Sequence, residues 1–306
     1  VRARALARAE SDPARAGAGT QAAEVLANVD AMVYAIDTAA RATGIGLDDL
    51  LAIHKVLLEA SANPAIAGRF RREQNWIGGN EYKPCGADFV PPPPELVEPL
   101  LLDLGTFVNA ESLPPLAQAA IAHAQFETIH PFEDGNGRTG RALVQVILRK
   151  RGLAPEFVPP ISVVLADRKD EYIRGLTEYR EDRVVEWIEL FCGAAARAAS
   201  LASEYVTRVA ELQEEWRGRL RQTMAPRRDA AVWPLIEALP AHPVLTRRTA
   251  ADVVGRSSVA AGAAIDALVE AGIVTPLSES KRNRSWEASE LIDLVERLEA
   301  ALPPSG

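Results

Sequence analysis

The chain has 306 residues, of which 48% are hydrophobic and 25% are charged, and its formal net charge at pH 7 is −8. This length exceeds that of one typical domain and predicts two domains. The acidic balance argues against a general nucleic-acid-binding protein or a membrane-surface protein, although it leaves room for a local basic patch.

The first predicted elements are two helices. Thr20 can cap a helix that extends from residue 21 to about residue 43. A second helix is predicted over residues 47–60, because the chain then reaches Pro64 and the residue before a proline disfavours the helical conformation. His54 lies on this second helix, and we interpret it as an ordinary core or surface imidazole.

Residues 69–90 differ in character, with few helical stripes and many turn-forming residues. Gly78-Gly79-Asn80 is typical of the turn of a β-hairpin. The prolines at 91–94 form a stiff spacer, which leads into a predicted helix over residues 95–109.

The next helix opens at Pro114-Pro115 and leads directly to residue 130. One stripe of this helix carries Leu116, Ala120, His123 and Glu127. We interpret His123 as structural, with a bond to the following loop, rather than as catalytic.

Residues 130–141 concentrate functional groups in the sequence His-Pro-Phe-Glu-Asp-Gly-Asn-Gly-Arg-Thr-Gly-Arg. Gly135 and Gly137 allow a tight turn that brings backbone N–H groups close to an anion at the start of the following helix. Arg138 and Arg141 lie three residues apart, so both can project from the first helical turn toward one polyphosphate. The stretch therefore predicts a phosphate-binding cradle.

Two side chains of the same stretch can bind a metal ion or accept a proton. Asp134 supplies a hard oxygen ligand, and Mg²⁺ commonly joins phosphates to one or two carboxylates. His130 has an unperturbed pKa near neutrality, so it can accept a proton from a hydroxyl nucleophile. We expect Phe132 to pack inward and anchor the loop, and we assign no role to Glu133.

This pattern resembles the signature of the Fic enzymes, H-x-F-x-[DE]-G-N-G-R-x-x-R, at every fixed position. The similarity extends to residues 122–129, to residues 74–79 and to residues 89–94, and it covers roughly residues 20 to 200. Most Fic enzymes transfer AMP from ATP to a hydroxyl side chain of a protein. A pattern with this many fixed positions is a strong signal compared with a lone glycine-rich run.

The resemblance implies a role for each matching residue. His130 would be the catalytic base and Asp134 the Mg²⁺ ligand. The nucleotide-binding residues would be Gly135, Asn136, Gly137, Arg138, Thr139, Gly140, Arg141 and Tyr172. A flap that holds an extended target peptide by backbone hydrogen bonds would comprise Asn75, Trp76, Ile77, Gly78 and Gly79. Arg180 falls near a position where several family members carry an asparagine that contacts the nucleotide. Because of this departure, the resemblance does not imply how this chain binds the base of the nucleotide.

The N-terminal region also departs from the family. Many Fic enzymes carry an inhibitory helix, [ST]-x-x-x-E-[GN], whose glutamate pairs with the second motif arginine. In many members Thr-Gln follows this pattern. Aligning Gly19-Thr20-Gln21 with the pattern's last position and this Thr-Gln places Ala18 at the glutamate position and Ala14 at the Ser/Thr position. The inhibitory glutamate is therefore expected to be absent, by natural loss or by alteration. A second register through Glu24 lacks the following Gly or Asn.

Beyond the motif, a helix is predicted over residues 138–150 and a short apolar segment over residues 161–165. Trp187, Ile188, Phe191 and Ala195 form a helical stripe that we expect in the core. Residues 203–222, rich in Glu and Arg, predict a solvated connecting helix.

The last part of the chain predicts a winged helix-turn-helix. Two short helices meet at Gly255, and residues 275–286, with Lys281-Arg282-Asn283-Arg284, resemble the wing hairpin. A closing helix follows over residues 289–302. The expected recognition helix, residues 257–271, has little with which to contact phosphates or bases, so DNA binding and protein docking or dimerisation both stay open.

We therefore expect a mainly α fold, with a Fic-type helical core and a small β-hairpin flap, followed by a C-terminal winged helix-turn-helix domain. The expected domains are an N-terminal helical region (1–45), the core (46–200), a connecting helix (201–225) and the winged helix (226–306). The resemblance implies a protein adenylyltransferase that uses ATP and Mg²⁺ on a Ser, Thr or Tyr hydroxyl of a target protein, with self-modification and a homodimer as further expectations.

Two alternatives stay open at this point. The chain could be an ATP-sensing DNA-binding regulator without transfer activity, or a Fic enzyme that transfers another phosphate-containing group.

Cysteine usage and hydropathy bear on the compartment. Cys85 and Cys192 are far apart and lack CxxC spacing, and no apolar run approaches the ~20 residues that span a bilayer. We expect a cytoplasmic protein without a membrane span. The sequence opens without Met and without the apolar segment of a signal peptide, so we expect it to begin inside a longer chain.

Overall fold

The structure, a computed structural model, describes residues 29, 33–34, 37–59, 61, 63–79, 83–155, 158–277 and 284–300. The described part of the chain divides between residues 199 and 200 into two compact units. Most of the predicted helix over residues 21–43 lies outside the described residues, as do Ala14 and Ala18. Its described end differs from the prediction, since a 3₁₀ turn occupies Ala39–Arg41.

The first unit is helical, as the sequence predicted. Its helices are α1 (Leu47–Glu59), α2 (Val97–Asn109), α3 (Pro115–Ile129), α4 (Asn136–Lys150), α5 (Ile161–Asp167), α6 (Lys169–Arg180) and the first part of α7 (Val184–Thr223). Short 3₁₀ turns lie at Pro64–Ile66 and Pro94–Leu96. Helix α4 begins two residues earlier than predicted, because Gly135 adopts the left-handed conformation at its N-cap and lets Asn136 start the helix.

Helix α3 lies at the centre of the first unit and is buried on nearly every side. Ala119, Ala120, Ala122 and Ala124 are fully inaccessible to solvent, and small side chains such as these let neighbouring helices approach closely. Trp187 of α7 is also fully buried, and its indole N–H donates to the carbonyl of Ala120 (2.7 Å). Because α3 is packed this tightly, the loop that leaves its C-terminus starts from a rigid support.

The predicted hairpin consists of two antiparallel arms joined at one bridge. The N–H of Ile77 donates to the carbonyl of Phe89 (2.9 Å), and the N–H groups of Asp88 and Phe89 donate to the carbonyl of Ile77 (2.8 and 3.2 Å). Gly78 and Gly79 follow with φ of +76° and +72°, where a β-carbon would be strained. Among the described residues of this region the pairing is therefore a single bridge rather than a strand ladder.

The second unit combines short helices with a three-stranded sheet. Its elements after α7 are α8 (Val232–Ala238), β1 (Val244–Thr246), α9 (Arg247–Val254), α10 (Ser258–Glu270), β2 (Thr275–Pro276), β3 (Ser285–Glu287) and α11 (Ser289–Ala300). The sheet has the order β1-β3-β2 with antiparallel pairing, in which Trp286 faces both Leu245 and Pro276. The side chains of Thr246 and Ser257 cap α9 and α10 by accepting N–H groups.

The prediction of a solvated connecting helix over residues 203–222 is wrong in part. Val209, Trp216 and Leu220 lie in the hydrophobic core of the second unit. The abundant Glu and Arg residues occupy the opposite face of an amphipathic helix, so composition alone concealed the buried stripe. Within the described ranges, no helix combines the length and apolar character needed to cross a bilayer.

Candidate active site

Residues 130–135 form a short loop between the C-terminus of α3 and the N-terminus of α4, and residues 136–141 begin α4. His130 caps α3 in the left-handed conformation (φ 48°, ψ 60°), which is uncommon for a residue with a β-carbon. Gly135 also has positive φ (79°), and a β-carbon there would lie 2.8 Å from Cδ2 of Leu58. The loop is therefore a strained, closely packed turn, as expected for residues that are held in place for a function.

Aromatic stacking anchors the middle of the loop. Phe132 is fully buried, and its ring lies parallel to that of His54 with centroids 3.7 Å apart. The Nε2–H of His54 donates to the carbonyl of Asp134 (3.0 Å), while Nδ1 accepts the N–H of Gly68 (3.0 Å). The inward packing of Phe132 is confirmed. His54, which was expected to be an ordinary core or surface imidazole, holds the loop in place.

Two polar side chains of the motif point inward and close the turn. Asn136 is buried; its Oδ1 accepts the N–H of Phe132 (2.9 Å) and its Nδ2 donates to the carbonyl of the same residue (2.8 Å). Thr139 is also buried, and its hydroxyl donates to the carbonyl of Gly135 (3.0 Å). These side chains stabilise the loop, so what Asn136 offers a ligand is its backbone N–H.

Arg71 is a buried cation that no sequence pattern indicated. Its guanidinium donates to the carbonyls of His130 (2.8 Å from Nε), Glu73 (3.2 Å from Nη1) and Ile129 (3.4 Å from Nη2), and also to that of Pro92. These bonds tie both ends of the flap region to the residue that begins the motif. The left-handed backbone of His130 is thereby fixed from outside the loop.

The imidazole of His130 is mostly buried, with 19% of its side chain exposed. Burial lowers its pKa to about 4; the positive charges of Arg71 and Arg180 act in the same direction, while the Glu127 carbonyl and Asp134 act against it. The ring is therefore neutral at pH 7 and can accept a proton.

The N-terminus of α4 provides donors for an anion. Among the described residues, no acceptor faces the backbone N–H groups of Asn136, Gly137 and Arg138, where the positive end of the helix dipole also lies. Arg141 is exposed and has no ion pair within the described part of the chain. Its Nη1 lies 3.0 Å from the place that a β-carbon on Gly137 would occupy, so the guanidinium covers that turn.

Asp134 lies at the mouth of the loop. Its side chain is 67% exposed; Oδ1 accepts the N–H of Gly135 (2.6 Å) and Oδ2 pairs with Nη2 of Arg138 (3.1 Å). The described residues contain no cluster of three or more His, Cys, Asp or Glu that could hold a metal alone. A single exposed carboxylate beside a phosphate cradle nevertheless fits Mg²⁺ that arrives with a nucleotide, because such Mg²⁺ takes most of its ligands from phosphate and water.

Helices α3 and α4 cross at Gly140. A β-carbon there would lie 2.9 Å from Oε1 of Glu127, 3.1 Å from Cδ1 of Phe126 and 3.3 Å from Nδ1 of His123, so only glycine fits. His123 is buried, as expected of a structural residue; its Nε2 bonds the hydroxyl of Tyr172 (3.0 Å), and its ring also lies near the backbone of Gly140.

Besides Arg71, two side chains connect the flap region with its surroundings. Nδ2 of Asn75 donates to the carbonyl of Phe132 (3.1 Å). The guanidinium of Arg180 lies 3.6 Å from the ring centroid of Phe89, and its Nε is 3.4 Å from the hydroxyl of Thr128. Arg180 therefore links the second arm of the flap to α3.

Comparison with known proteins identifies the domain that contains this site. The model of the Fic/DOC family matches residues 44–148. The chain is 38% identical over 118 residues to protein adenylyltransferase fic-1 of Caenorhabditis elegans (38% of this chain, 21% of that protein). It is 35% identical over 153 residues to protein adenylyltransferase Fic of Nematostella vectensis (49% and 32%). The chain thus spans about a fifth to a third of the length of these curated relatives.

A solved structure supports the fold. The crystal structure of a Fic family protein from Desulfovibrio desulfuricans G20 aligns with a TM-score of 0.50 and 22% identity, over 93% of this chain and 86% of that one. At this identity the likeness shows the fold alone. The family model and the two relatives bear on the segment that contains the site: residues 44–148 of this chain match the Fic/DOC family.

Proposed function

We propose that the chain is a protein adenylyltransferase, which transfers AMP from ATP to a Ser, Thr or Tyr hydroxyl of a target protein. One observation supports this above all: the neutral imidazole of His130 belongs to the same twelve-residue motif as Arg141 and the first N–H groups of α4, and these donors have no partner within the described structure. A base and an anion site held by one rigid turn suit transfer of a phosphate-bearing group. The two relatives whose names state this activity support AMP as the group.

The proposed chemistry follows from the positions of these groups. The triphosphate binds the N–H groups of Asn136, Gly137 and Arg138 and the guanidinium of Arg141. Asp134 would hold Mg²⁺, which supplies charge neutralisation on the phosphates when bound. His130 removes the proton from the target hydroxyl, whose oxygen forms a bond to the α-phosphorus. The bond from the α-phosphorus to the β-phosphate oxygen breaks, and pyrophosphate leaves.

The flap is proposed to orient the target. Residues 75–79 would align an extended segment by backbone hydrogen bonds, as sheet-edge binding sites do. Asn75 and Arg71 support this proposal, because they bond the start of the flap to the motif loop. A peptide held there would have its position set relative to His130.

We also propose that residues 226–306 form a winged helix-turn-helix that docks a protein rather than DNA. Helix α10 contains no Lys or Arg, and its exposed residues include Val259, Asp266 and Glu270. A helix with this surface offers neither phosphate contacts nor bidentate donors for base edges.

Radiolabelled ATP tests the proposed function. The full chain is incubated with Mg²⁺, a cell extract as the source of hydroxyl-bearing proteins, and ATP labelled at either the α- or the γ-phosphate. We expect protein labelling from the α-position alone, at least about a hundredfold slower for His130→Ala, which should still bind ATP. Arg141→Ala should weaken ATP binding about tenfold or more.

Two results would contradict the proposal. Label that enters protein from the γ-phosphate would indicate phosphorylation. Labelling by His130→Ala at the parent rate would remove His130 from the role of base.

A further inference from the structure

Three buried polar atoms without a hydrogen-bond partner in the described structure lie along one face of α3 and its C-cap. They are Nδ1 of His123, Oε1 of Glu127 and Nδ1 of His130. Spacings of four and three residues place these side chains on successive turns of one face. Folded proteins rarely leave such atoms unsatisfied, so a run of three beside a candidate base points to a functional arrangement.

The carboxyl group of Glu127 lies between the imidazole of His130 and the backbone of α4. Oε2 is 3.9 Å from Nδ1 of His130, and Oε1 would be 2.9 Å from a β-carbon on Gly140. Glu127 is only 7% exposed. No Lys or Arg of the described ranges lies within ion-pair distance of it; Arg141 and Arg180 act at longer range. Among the described Lys, Arg and His residues, His130 is therefore the one within ion-pair distance of Glu127.

We infer that Glu127 is a positioning residue for His130: its carboxylate accepts the Nδ1 proton of the imidazole and so leaves Nε2 unprotonated for the target hydroxyl. The inference rests on the proposed role of His130 as the base. The hydrogen bond at one ring nitrogen of a histidine decides which nitrogen carries the proton. A base oriented by a third group is a recurring arrangement in enzymes that activate hydroxyl nucleophiles. Closing the gap between the two groups by about 1 Å would complete the bond.

The carboxylate also matters as the proton moves. When Nε2 takes the hydroxyl proton, the ring becomes a cation, and an adjacent negative charge stabilises it while the oxygen–phosphorus bond forms and pyrophosphate leaves. Burial lowers the pKa of His130 to about 4, which disfavours the protonated ring, and an adjacent negative charge acts against this effect.

The ionisation of Glu127 should therefore appear in the rate. Burial raises the pKa of its carboxyl to about 7, while Arg141 and Arg180 act against this rise. Protonation below about pH 7 removes the acceptor charge, so transfer should decline as the pH falls. The charged and titratable groups that face this pair are His123 on α3, Arg141 on α4, Tyr172 and Arg180 on α6, Arg71 before the flap, and Asp134 in the loop.

A competing acceptor for the Nδ1 proton is the main-chain carbonyl of Glu127, which also lies near the ring. The two acceptors can be separated by substitution, because only the carboxylate is lost when the side chain changes. Glu127→Leu removes the acceptor and keeps an apolar side chain of similar size. Glu127→Gln keeps the shape and an acceptor oxygen but removes the charge.

Nitrogen NMR of the histidine-labelled full chain tests the inference without ATP. The chain has four histidines, and the signals of His130 are those that disappear in His130→Ala. We expect the parent ring to be protonated at Nδ1, and the ring in Glu127→Leu to shift to Nε2. Protonation at Nε2 in the parent, or an unchanged Nδ1 proton in Glu127→Leu, would overturn the inference, and the latter would favour the main-chain carbonyl.

The charge is tested separately with Glu127→Gln. The titration midpoint of His130 should move to lower pH, and the transfer rate at pH 7.5 should fall about tenfold with little change in the KM for ATP. Glu133→Gln, which removes an exposed charge three residues beyond His130, should leave the midpoint unchanged. If Glu127→Leu does not fold, this titration decides, and an unchanged midpoint refutes the inference. Neither NMR readout needs turnover. A failure of the proposed AMP transfer would therefore appear in the labelling assay and would be distinguished from a failure of the inference about Glu127.

Discussion

Arg71 shows how much of the site depends on one side chain outside the motif. It donates to four main-chain carbonyls, among them those of His130 and Pro92, and the described structure contains no carboxylate in ion-pair contact with it. A buried carbonyl that loses a charged donor is costly, because no water replaces the bond. The motif loop and the flap therefore share one anchor.

Replacing this anchor should lower stability measurably. Arg71→Met keeps the length of the side chain but removes its donors, and we expect a loss of about 3 kcal/mol in the free energy of unfolding. Urea unfolding followed by circular dichroism measures it. Arg72→Met, at the exposed neighbouring position, should change stability by less than about 0.5 kcal/mol. Equal effects of the two substitutions would show that the carbonyl contacts do not stabilise the loop.

The sequence predicted the residues that can face a ligand better than those that hold the loop. His130, Asp134 and Arg141 belong to a pattern whose chemistry can be interpreted residue by residue. Arg71 and His54 act on main-chain carbonyls that are distant in sequence, and a contact with a carbonyl leaves no pattern of residue types. Glu127 did leave a signal, since it lies one helical turn before His130.

At the scale of elements, the packing of α3 on α4 depends on Gly140. Glu127, Phe126 and His123 all lie close to the position that a β-carbon would occupy there, so the glycine sets the separation of the two helices that carry the site. Glycine within a helix costs about 1 kcal/mol relative to alanine, and here close packing offsets that cost.

Alanine at this crossing should therefore destabilise the chain despite its higher helix propensity. We expect Gly140→Ala to cost about 1–3 kcal/mol, because the added carbon forces α3 and α4 apart. Gly193→Ala on α7 is the matched control: a β-carbon there meets nothing within 4 Å, so it should be neutral or stabilising by up to about 1 kcal/mol. Thermal unfolding of both variants measures the difference. A stabilised Gly140→Ala would mean that the helices can separate without cost.

Element boundaries were predictable where proline or glycine sets them. The predicted end of α1 before Pro64 agrees with the observed Glu59, and α3 begins at Pro115. The start of α4 was missed because it depends on the left-handed Gly135, and the burial of Trp216 was missed because composition does not show which face of a long helix is covered.

At the scale of the whole molecule, buried ionisable groups make folding depend on pH. His123 is packed against Trp187 and Phe191, and burial lowers its pKa from 6.5 to about 4; Arg141 acts in the same direction, and the backbone of Gly140 acts against it. The unfolded chain therefore binds a proton at this site between pH 6.5 and pH 4, where the folded chain does not. Stability from this group is fully present above pH 6.5 and is lost as the pH falls.

A variant without a titrating group at position 123 should lose less unfolding free energy than the parent does when the pH is lowered from 7. The shift of His123 corresponds to about 3 kcal/mol of stability lost between pH 6.5 and pH 4. His123→Phe keeps an aromatic ring beside Trp187 and removes the titrating group. We expect the difference in unfolding free energy between pH 7 and pH 4.5 to be smaller by about 2 kcal/mol in His123→Phe, as measured by urea unfolding at each pH.

The comparison isolates His123, because the other buried groups remain in both proteins. The pKa of His130 is also lowered, so its contribution to stability also falls as the pH falls. The pKa of Glu127 is raised to about 7, so its contribution changes in the opposite direction and falls as the pH rises from 4.5 to 7. These contributions cancel when the variant is subtracted from the parent. An identical pH dependence in the two proteins would mean that the folded chain takes up a proton at His123 as readily as the unfolded chain does, and that the ring is not sealed between α3, α4 and α7.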